Sequence, residues 1–333
     1  MSKMIKLWLF SLALTVAWIN CADHNAQLVK VRLALDWFPN ANHAGLFLAI
    51  ENGYFEQEGI DLVVYTPNDP ATILATLGAG KDDFGFEYQM GVLLARSQGI
   101  PVISVAAIVQ HPLNSVMALR DSEIERPQHL KGKTIGYPGI ATDPPLLRTM
   151  LVYDGLSHKE ANAQIEDLVN VGFDLVPALI SGRVDAIVGA YWTHESISAE
   201  NQGFPLKIMR MEEWGVPDFY ELVLVTGEDK VLHEPALVKR FLRAIIKGYQ
   251  EASMNPQAAI DALKTQHPEI DEGIERKGVE LIAPLWTNGA QSFGWQLTSR
   301  WSDFANWMMN NDIISKEIDV SKAFTNQFLY TPK

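Results

Sequence analysis

The sequence predicts an α/β protein of two similarly built lobes, and three observations carry that expectation. The chain has 333 residues, 47% hydrophobic and 20% charged. At ~150 residues per domain this suggests about two domains, each with room for a core. Strand-like runs alternate with helix-like ones, the pattern of parallel sheets covered on both faces. A helix-to-strand corner also occurs twice: Leu77-Gly78-Ala79-Gly80-Lys81-Asp82-Asp83 is echoed by Leu179-Ile180-Ser181-Gly182-Arg183-Val184-Asp185. In each, a glycine stops a helix, a basic residue complements its dipole, and an aspartate enters a strand.

The elements follow in order. Val29 to Leu35 reads as a strand, and His43 to Glu51 as a helix with Leu46, Phe47 and Ile50 on one face. Asp61 to Tyr65 is a second strand. Asp69-Pro70 supplies a cap and a proline at the first helical position for Ala71 to Leu77. Phe84 to Glu87 is a third strand, and a helix follows it. The pattern restarts with a strand at Lys133 to Tyr137, a Gly/Pro/Asp-rich loop and a helix from Pro145 to Tyr153. From Glu228 the chain turns helical. Leu237, Val238, Phe241, Leu242, Ile245, Ile246 and Tyr249 form a stripe at helical spacing, read as core packing, and further helices are expected at Ile260 to Leu263, Gly278 to Leu285 and Trp295 to Met309.

Charge and composition exclude several classes of function. The formal net charge is −13, from 40 acidic and 27 basic residues. Nucleic acid needs basic surface, so it is a poor partner, and an anionic substrate is disfavoured. A single cysteine allows no intramolecular disulfide and no cysteine-rich metal or CxxC redox site. No GxSxG, HExxH or EF-hand loop occurs. Gly78-Ala79-Gly80-Lys81 lacks the following Ser or Thr of a phosphate loop. His43 and His194 with Glu87 or Glu195 show no metal-ligand spacing, and no cofactor is expected.

Lys3 and Lys6 precede the apolar run Leu7 to Ile19, too short for a membrane span of ~20 residues but suited to a secretory signal. The signal is set at residues 1–21. Cys21 is a lipidation candidate, although Trp18 and Asn20 depart from a lipobox, and ordinary cleavage near Ala22 or Ala26 is the alternative. Loss of residues 1–21 removes two lysines and no acid, leaving a net charge near −15.

Candidate ligand residues gather where strands end, the usual ligand position in open α/β sheets. The first loop is Asp36-Trp37-Phe38-Pro39-Asn40-Ala41-Asn42-His43, from which Trp37, Asn40 and His43 are nominated. The second is Glu87-Tyr88-Gln89 and the third Tyr191-Trp192-Thr193-His194-Glu195; all three residues of the second, with Tyr191, Trp192 and Glu195, are nominated. Asp218, Tyr220 and Glu221 come from Trp214 to Glu221, which precedes a strand. Rings offer stacking faces and carboxylates accept paired N–H bonds, so a flat amino-heterocycle is the ligand class expected. Paired carboxylates can also do acid–base work, but no nucleophile–base arrangement accompanies them.

Leu35 to His43, Gly45 to Ala49 and Gly53 to Ile60 resemble a group with two branches: periplasmic thiamine-precursor binding proteins and fungal hydroxymethylpyrimidine phosphate synthases. Tyr88-Gln89, Gly136-Tyr137-Pro138-Gly139, Gly182 to Asp185 and Val216 to Glu221 continue the likeness, which covers roughly residues 29 to 310. The resemblance implies a type II periplasmic-binding-protein fold, with two α/β lobes joined by two crossover strands and a ligand cleft between them. The crossings are placed near Ser115 to Leu119 and Leu222 to Thr226. Residues 28–116 with 223–333 would form lobe 1 and residues 117–222 lobe 2. The resemblance also implies a monomer in the periplasm or on the outer face of the cytoplasmic membrane. It would bind a thiamine-precursor pyrimidine such as N-formyl-4-amino-5-aminomethyl-2-methylpyrimidine and deliver it to an ABC permease and ATPase. Trp37, Tyr88 and Trp192 would wall the ring, and Glu195 and Asp218 would accept from amino groups. Another solute (riboflavin, a sulfonate, nitrate) or a pyridoxal-phosphate-dependent synthase are the alternatives. The synthase branch uses a lysine and a histidine after the third strand, where this chain has Glu87 and Gly91.

Overall fold

Among the described residues ten strands form, where the chain offers short apolar or β-branched runs between Gly-, Pro- or Asp-rich turns. They are β1 (Val29–Ala34), β2 (Ile60–Tyr65), β3 (Phe84–Glu87), β4 (Val102–Val109), β5 (Asn114–Leu119), β6 (Ile135–Tyr137), β7 (Val169–Asn170), β8 (Ala186–Tyr191), β9 (Leu206–Arg210) and β10 (Leu222–Gly227). The computed structural model describes residues 28–329, so the signal-like segment and Cys21 lie outside the described residues.

The strands make two five-stranded sheets, ordered β2-β1-β3-β10-β4 and β7-β6-β8-β5-β9. The orders match position for position, with β6 standing for β1, β7 for β2 and β8 for β3. In each sheet the fourth strand is antiparallel to both neighbours, β10 in the first and β5 in the second. Each is the strand that enters as the chain arrives from the other lobe. The chain passes between lobes at residues 110–113 and again between β9 and β10, just ahead of the two strands that the sequence singles out. This is the two-lobed α/β architecture expected.

The repeated corner is real in three dimensions. Gly80 and Gly182 both take left-handed conformations, with φ of 66° and 73°. The Asp83 carboxylate accepts from the Arg32 backbone N–H at 2.7 Å, and the Asp185 carboxylate accepts from that of Thr134 at 2.8 Å. Each aspartate therefore pins the third strand of its lobe to the first. The element boundaries shift modestly. The helix expected from His43 begins as a 3-10 turn at Ala41–His43, capped by the Asn40 side chain, and continues as Ala44–Glu51. The loop after β6 opens a helix at Asp143 rather than Pro145.

The first lobe's core is built on the long helix Pro235–Met254, whose apolar stripe faces the sheet. Phe241 stacks on Phe84 with ring centroids 3.8 Å apart. The same helix crosses Ala44–Glu51 at a point where both backbones carry glycine. A Cβ on Gly248 would stand 2.2 Å from the Gly45 carbonyl oxygen, and one on Gly45 would stand 2.4 Å from the Tyr249 ring. The Tyr249 hydroxyl donates to the Asn42 carbonyl at 2.6 Å, which holds the first ligand loop to the core. The edge strand β4 is buried along its length. Backbone bridges from Gly294 and Phe324 cover it, so its polar groups are not left as an open edge.

The glycine crossing yields a direct test. Gly248→Ala should lower the unfolding free energy by about 2 kcal/mol, because a methyl group there must force the two helices apart. An unchanged urea midpoint would show that the crossing is loose.

Candidate functional site

The strand ends of the two sheets face each other across a cavity of about 550 Å³, its mouth included. From the first lobe come the turn after β1, with Asp36, Trp37 and Asn40, and the residues after β3, with Tyr88 and Met90. From the second come Ile140, Thr142 and Asp143 after β6, and Tyr191, His194 and Glu195 at and after the end of β8. Asn114 and Glu221, from the two passages between lobes, close the base with Phe219. Four carboxylates, four large rings and one imidazole thus line the cavity, and among the described residues no Lys or Arg does.

Each carboxylate is already held by the fold. Asp36 accepts from the Tyr88 hydroxyl at 3.1 Å and lies 2.9 Å from His43 Nε2. His43 Nδ1 accepts from the Asn40 backbone N–H, so a neutral imidazole carries its proton on Nε2 and donates to Asp36. Glu221 accepts from the backbone N–H groups of Leu113 and Asn114 at 2.6 and 2.9 Å, and from the Tyr191 hydroxyl at 3.0 Å. Burial pushes its carboxyl up to about 7 against those hydrogen bonds. Asp143 accepts from the Asn114 amide at 2.9 Å, and burial pushes it too up to about 7.

Glu195 accepts from the Tyr191 backbone N–H at 2.7 Å. Its other oxygen lies 3.0 Å from His194 Nδ1, while His194 Nε2 lies 3.2 Å from Glu275. Burial opposes charge on His194, but the carboxylates of Glu195 and Glu275 outweigh it and hold its pKa well above the usual value. Both ring nitrogens then donate. Glu275 sits on the helix Glu272–Ile282, which packs against the Ala41–His43 turn and takes the Ala41 backbone N–H at 2.6 Å. His194–Glu275 is therefore a contact between lobes. Gly278 lets the helix approach, since a Cβ there would stand 3.1 Å from the Thr193 carbonyl oxygen. At the mouth, Phe173 of the second lobe meets Trp37 edge-on at 4.2 Å and Phe38 at 4.4 Å.

Trp37, Asn40, Tyr88, Tyr191, Glu195 and Glu221 line the cavity. The other nominated residues stand elsewhere. Trp192 and Tyr220 follow or separate residues that face the cavity but do not line it themselves. Trp192 Nε1 donates to the Pro112 carbonyl, and Arg210 sits 4.6 Å over its ring. Tyr220 is fully buried, and its hydroxyl accepts from the Leu297 backbone N–H. Gln89 is buried behind it, bonded to the Tyr220 backbone and the Arg300 carbonyl. Asp218 is half exposed and pairs with His111 and Arg300. His43 supports Asp36 from behind. Glu87 faces an adjoining groove, where burial pushes its carboxyl up to about 8. Among the described residues no cluster of three or more His, Cys, Asp or Glu is placed to hold a metal ion.

Sequence reasoning passed over Asp36, Asn114, Asp143, His194 and Glu275. The repeat could have found Asp143, because the loop after β6 is the counterpart of the loop after β1. Nothing local marks Glu275, which reaches the site from a distant helix.

The family model described as "NMT1/THI5 like" matches residues 40–259. The chain belongs to this family. A formylaminopyrimidine-binding protein of Halalkalibacterium halodurans is 34% identical over 97% of this chain and 98% of its own. Another family relative, a 4-amino-5-hydroxymethyl-2-methylpyrimidine phosphate synthase of Aspergillus parasiticus, is 26% identical over 90% of this chain and 87% of its own. Among solved structures, the alkanesulfonate-binding protein SsuA of Xanthomonas axonopodis pv. citri, bound to MOPS, superposes with a TM-score of 0.67 at 16% identity. The match covers 89% of this chain and 98% of that one. The fold is that of the type II periplasmic binding proteins. No helix among the described residues is long and apolar enough to cross a membrane.

Two measurements test the electrostatics. Glu275→Gln should weaken the bridge to His194 by about 2 kcal/mol. A raised histidine pKa stabilises fully below its unfolded value near 6.5 and is lost as pH rises through the folded value. The loss in thermal stability should therefore be largest near pH 6 and shrink toward alkaline pH; a pH-independent loss counts against a charged His194. Glu87 has the opposite sign, because a raised carboxyl pKa destabilises progressively from its unfolded value near 4.5 up to about 8. Glu87→Gln should raise the melting temperature by a few degrees at pH 8.5 and by little at pH 4.5.

Proposed function

We propose that the protein is the extracytoplasmic solute-binding component of an ABC importer. Its ligand is a thiamine-precursor pyrimidine, N-formyl-4-amino-5-aminomethyl-2-methylpyrimidine or a close relative, which it delivers to a permease and ATPase. The observation that carries this reading is the cavity's chemistry: four carboxylates and four large rings, with no Lys or Arg among the described residues. A flat ring bearing amino groups matches it, stacking on Trp37, Tyr88 or Tyr191 and donating to Glu195, Asp143 and Asp36. A sulfonate or nitrate would ask for Arg, Lys or free helix N-termini instead.

The comparisons support the same choice, since a formylaminopyrimidine-binding relative aligns over nearly the whole chain. The synthase relatives keep the enzyme alternative in view. Against it, Glu87 and Gly91 occupy the positions that the resemblance assigns to the synthases' lysine and histidine. The structure puts these two positions side by side, a Cβ on Gly91 lying 2.6 Å from Glu87 Oε2. A carboxyl there forms no Schiff base, so binding without catalysis is the reading we adopt.

Ligand binding would close the lobes about residues 110–113 and 215–221, burying the solute as hinge closure does in such clamps. The His194–Glu275 bridge and the Trp37–Phe173 contact belong to the closed form. The lobe limits expected from the sequence, residues 28–116 with 223–333 against 117–222, move by a few residues, because β5 from Asn114 belongs to the second sheet and β10 from Leu222 to the first. The signal segment would export the chain as a monomer, either free or anchored through Cys21.

Titration calorimetry on ligand-stripped protein tests the assignment. The expected result is a 1:1 exothermic isotherm with the formylaminopyrimidine, at micromolar affinity or better, and no heat with MOPS. No heat with the pyrimidine and a saturable isotherm with riboflavin would move the ligand to the alternative.

A further inference from the structure

Asp143 is almost fully buried and lines the cavity, yet only one of its oxygens is used. Oδ1 accepts from Asn114 Nδ2 at 2.9 Å, whereas Oδ2 is buried without a hydrogen-bond partner among the described residues. A buried polar atom left unpaired in a cavity calls for an occupant. Its setting is rigid. Asn114 Oδ1 accepts from the Gly189 backbone N–H at 3.1 Å, which fixes the amide so that its NH₂ faces Asp143. Gly189 itself has φ +89°, and a Cβ there would lie 2.8 Å from Asp143 Oδ2. Glycine at this position thus keeps a side chain from crowding the free oxygen.

We propose that Asp143 is the specificity-determining residue, reading the edge of the ligand where a ring nitrogen adjoins an exocyclic amine. Oδ2 donates a proton to the ring nitrogen, and Oδ1, which keeps a second lone pair beside Asn114, accepts from the amine. The inference rests on the ligand class proposed above and names the atoms that select it.

The surroundings favour the neutral acid that such a pair needs. Glu221 faces Asp143 and raises the cost of a second negative charge, and Tyr88, Tyr191 and the His194–Glu195 pair complete the polar lining. Burial pushes Asp143 up to about 7, so its acid form is available near neutral pH. Leu146, Ile140 and Met90 keep the place apolar around the pair. A carboxyl group presents one donor and one acceptor side by side, the complement of an amino-substituted ring edge.

Calorimetry at pH 7 with two probes tests the idea: 4-amino-5-aminomethyl-2-methylpyrimidine, and the same compound without the 4-amino group. Wild-type protein should prefer the first by about 10-fold, the worth of the one buried hydrogen bond that the 4-amino group adds. Asp143→Ala, which removes both bonds, should lose affinity for the first on the order of 30-fold and discriminate little between the two. Asp143→Asn, whose amide keeps one acceptor toward Asn114 and one donor toward the ligand, should stay within about threefold of wild type. Should Asp143→Ala fail to fold, Asp143→Ser takes its place. Retained discrimination in the alanine variant, or an asparagine variant as weak as the alanine one, overturns the proposal. Equal binding of the two probes by wild type overturns it while leaving the binding function intact. Binding of neither overturns both.

Discussion

The Glu221 carboxylate holds this structure's two halves in register. It sits on the second passage between lobes and takes both backbone N–H groups of the first, at Leu113 and Asn114. Its other oxygen takes the hydroxyl of Tyr191, at the end of a second-lobe strand. One side chain therefore joins both hinge segments and a cavity wall. It does so at the floor of the cavity, where burial raises its pKa to about 7 and makes the hydrogen bonds necessary. Loss of these bonds would leave buried N–H groups unpaired where the chain passes between the lobes.

From that floor the site is built by symmetry of construction and asymmetry of detail. Both lobes place the ends of equivalent strands at the cleft, so loops after β1 and β3 meet loops after β6 and β8. The same corner chemistry, glycine then aspartate onto the first strand, sets each lobe's third strand. Yet the first lobe's turn is backed by the neutral His43, and the second lobe's by a charged His194 that reaches Glu275 across the cleft. A single cationic side chain among four carboxylates ties the lobes together without turning the cavity basic.

Legibility followed locality. The fold class, the two-lobe division and the strand-end loops were readable because periodicity and turn chemistry act over a few residues. Phe84 to Glu87 is a strand in both readings, and Asp69 caps its turn as expected. The site was half readable. Trp37, Tyr88, Tyr191, Glu195 and Glu221 stand on its walls. Trp192 and Tyr220 stand outside it because composition names a loop but does not fix which of its side chains face the cavity. Gln89 and Asp218 became hinge braces, since their partners Tyr220 and Arg300 are distant in sequence.

What the sequence by itself determined is the kind of molecule: two α/β units, an acidic balance, rings and carboxylates gathered at strand ends, and a likeness to a pyrimidine-handling family. Each is a property of composition or of contiguous residues. What only the tertiary structure decided is which carboxylate oxygens are hydrogen-bonded and which is left without a partner. Asp36 is bound to His43 and Tyr88, Glu221 to the hinge backbone, and Glu195 to His194. Asp143 keeps an unpartnered oxygen because Asn114 and Gly189 shape the space beside it. Hydrogen-bond satisfaction is a sum over neighbours brought together by folding, and no run of residues encodes it alone.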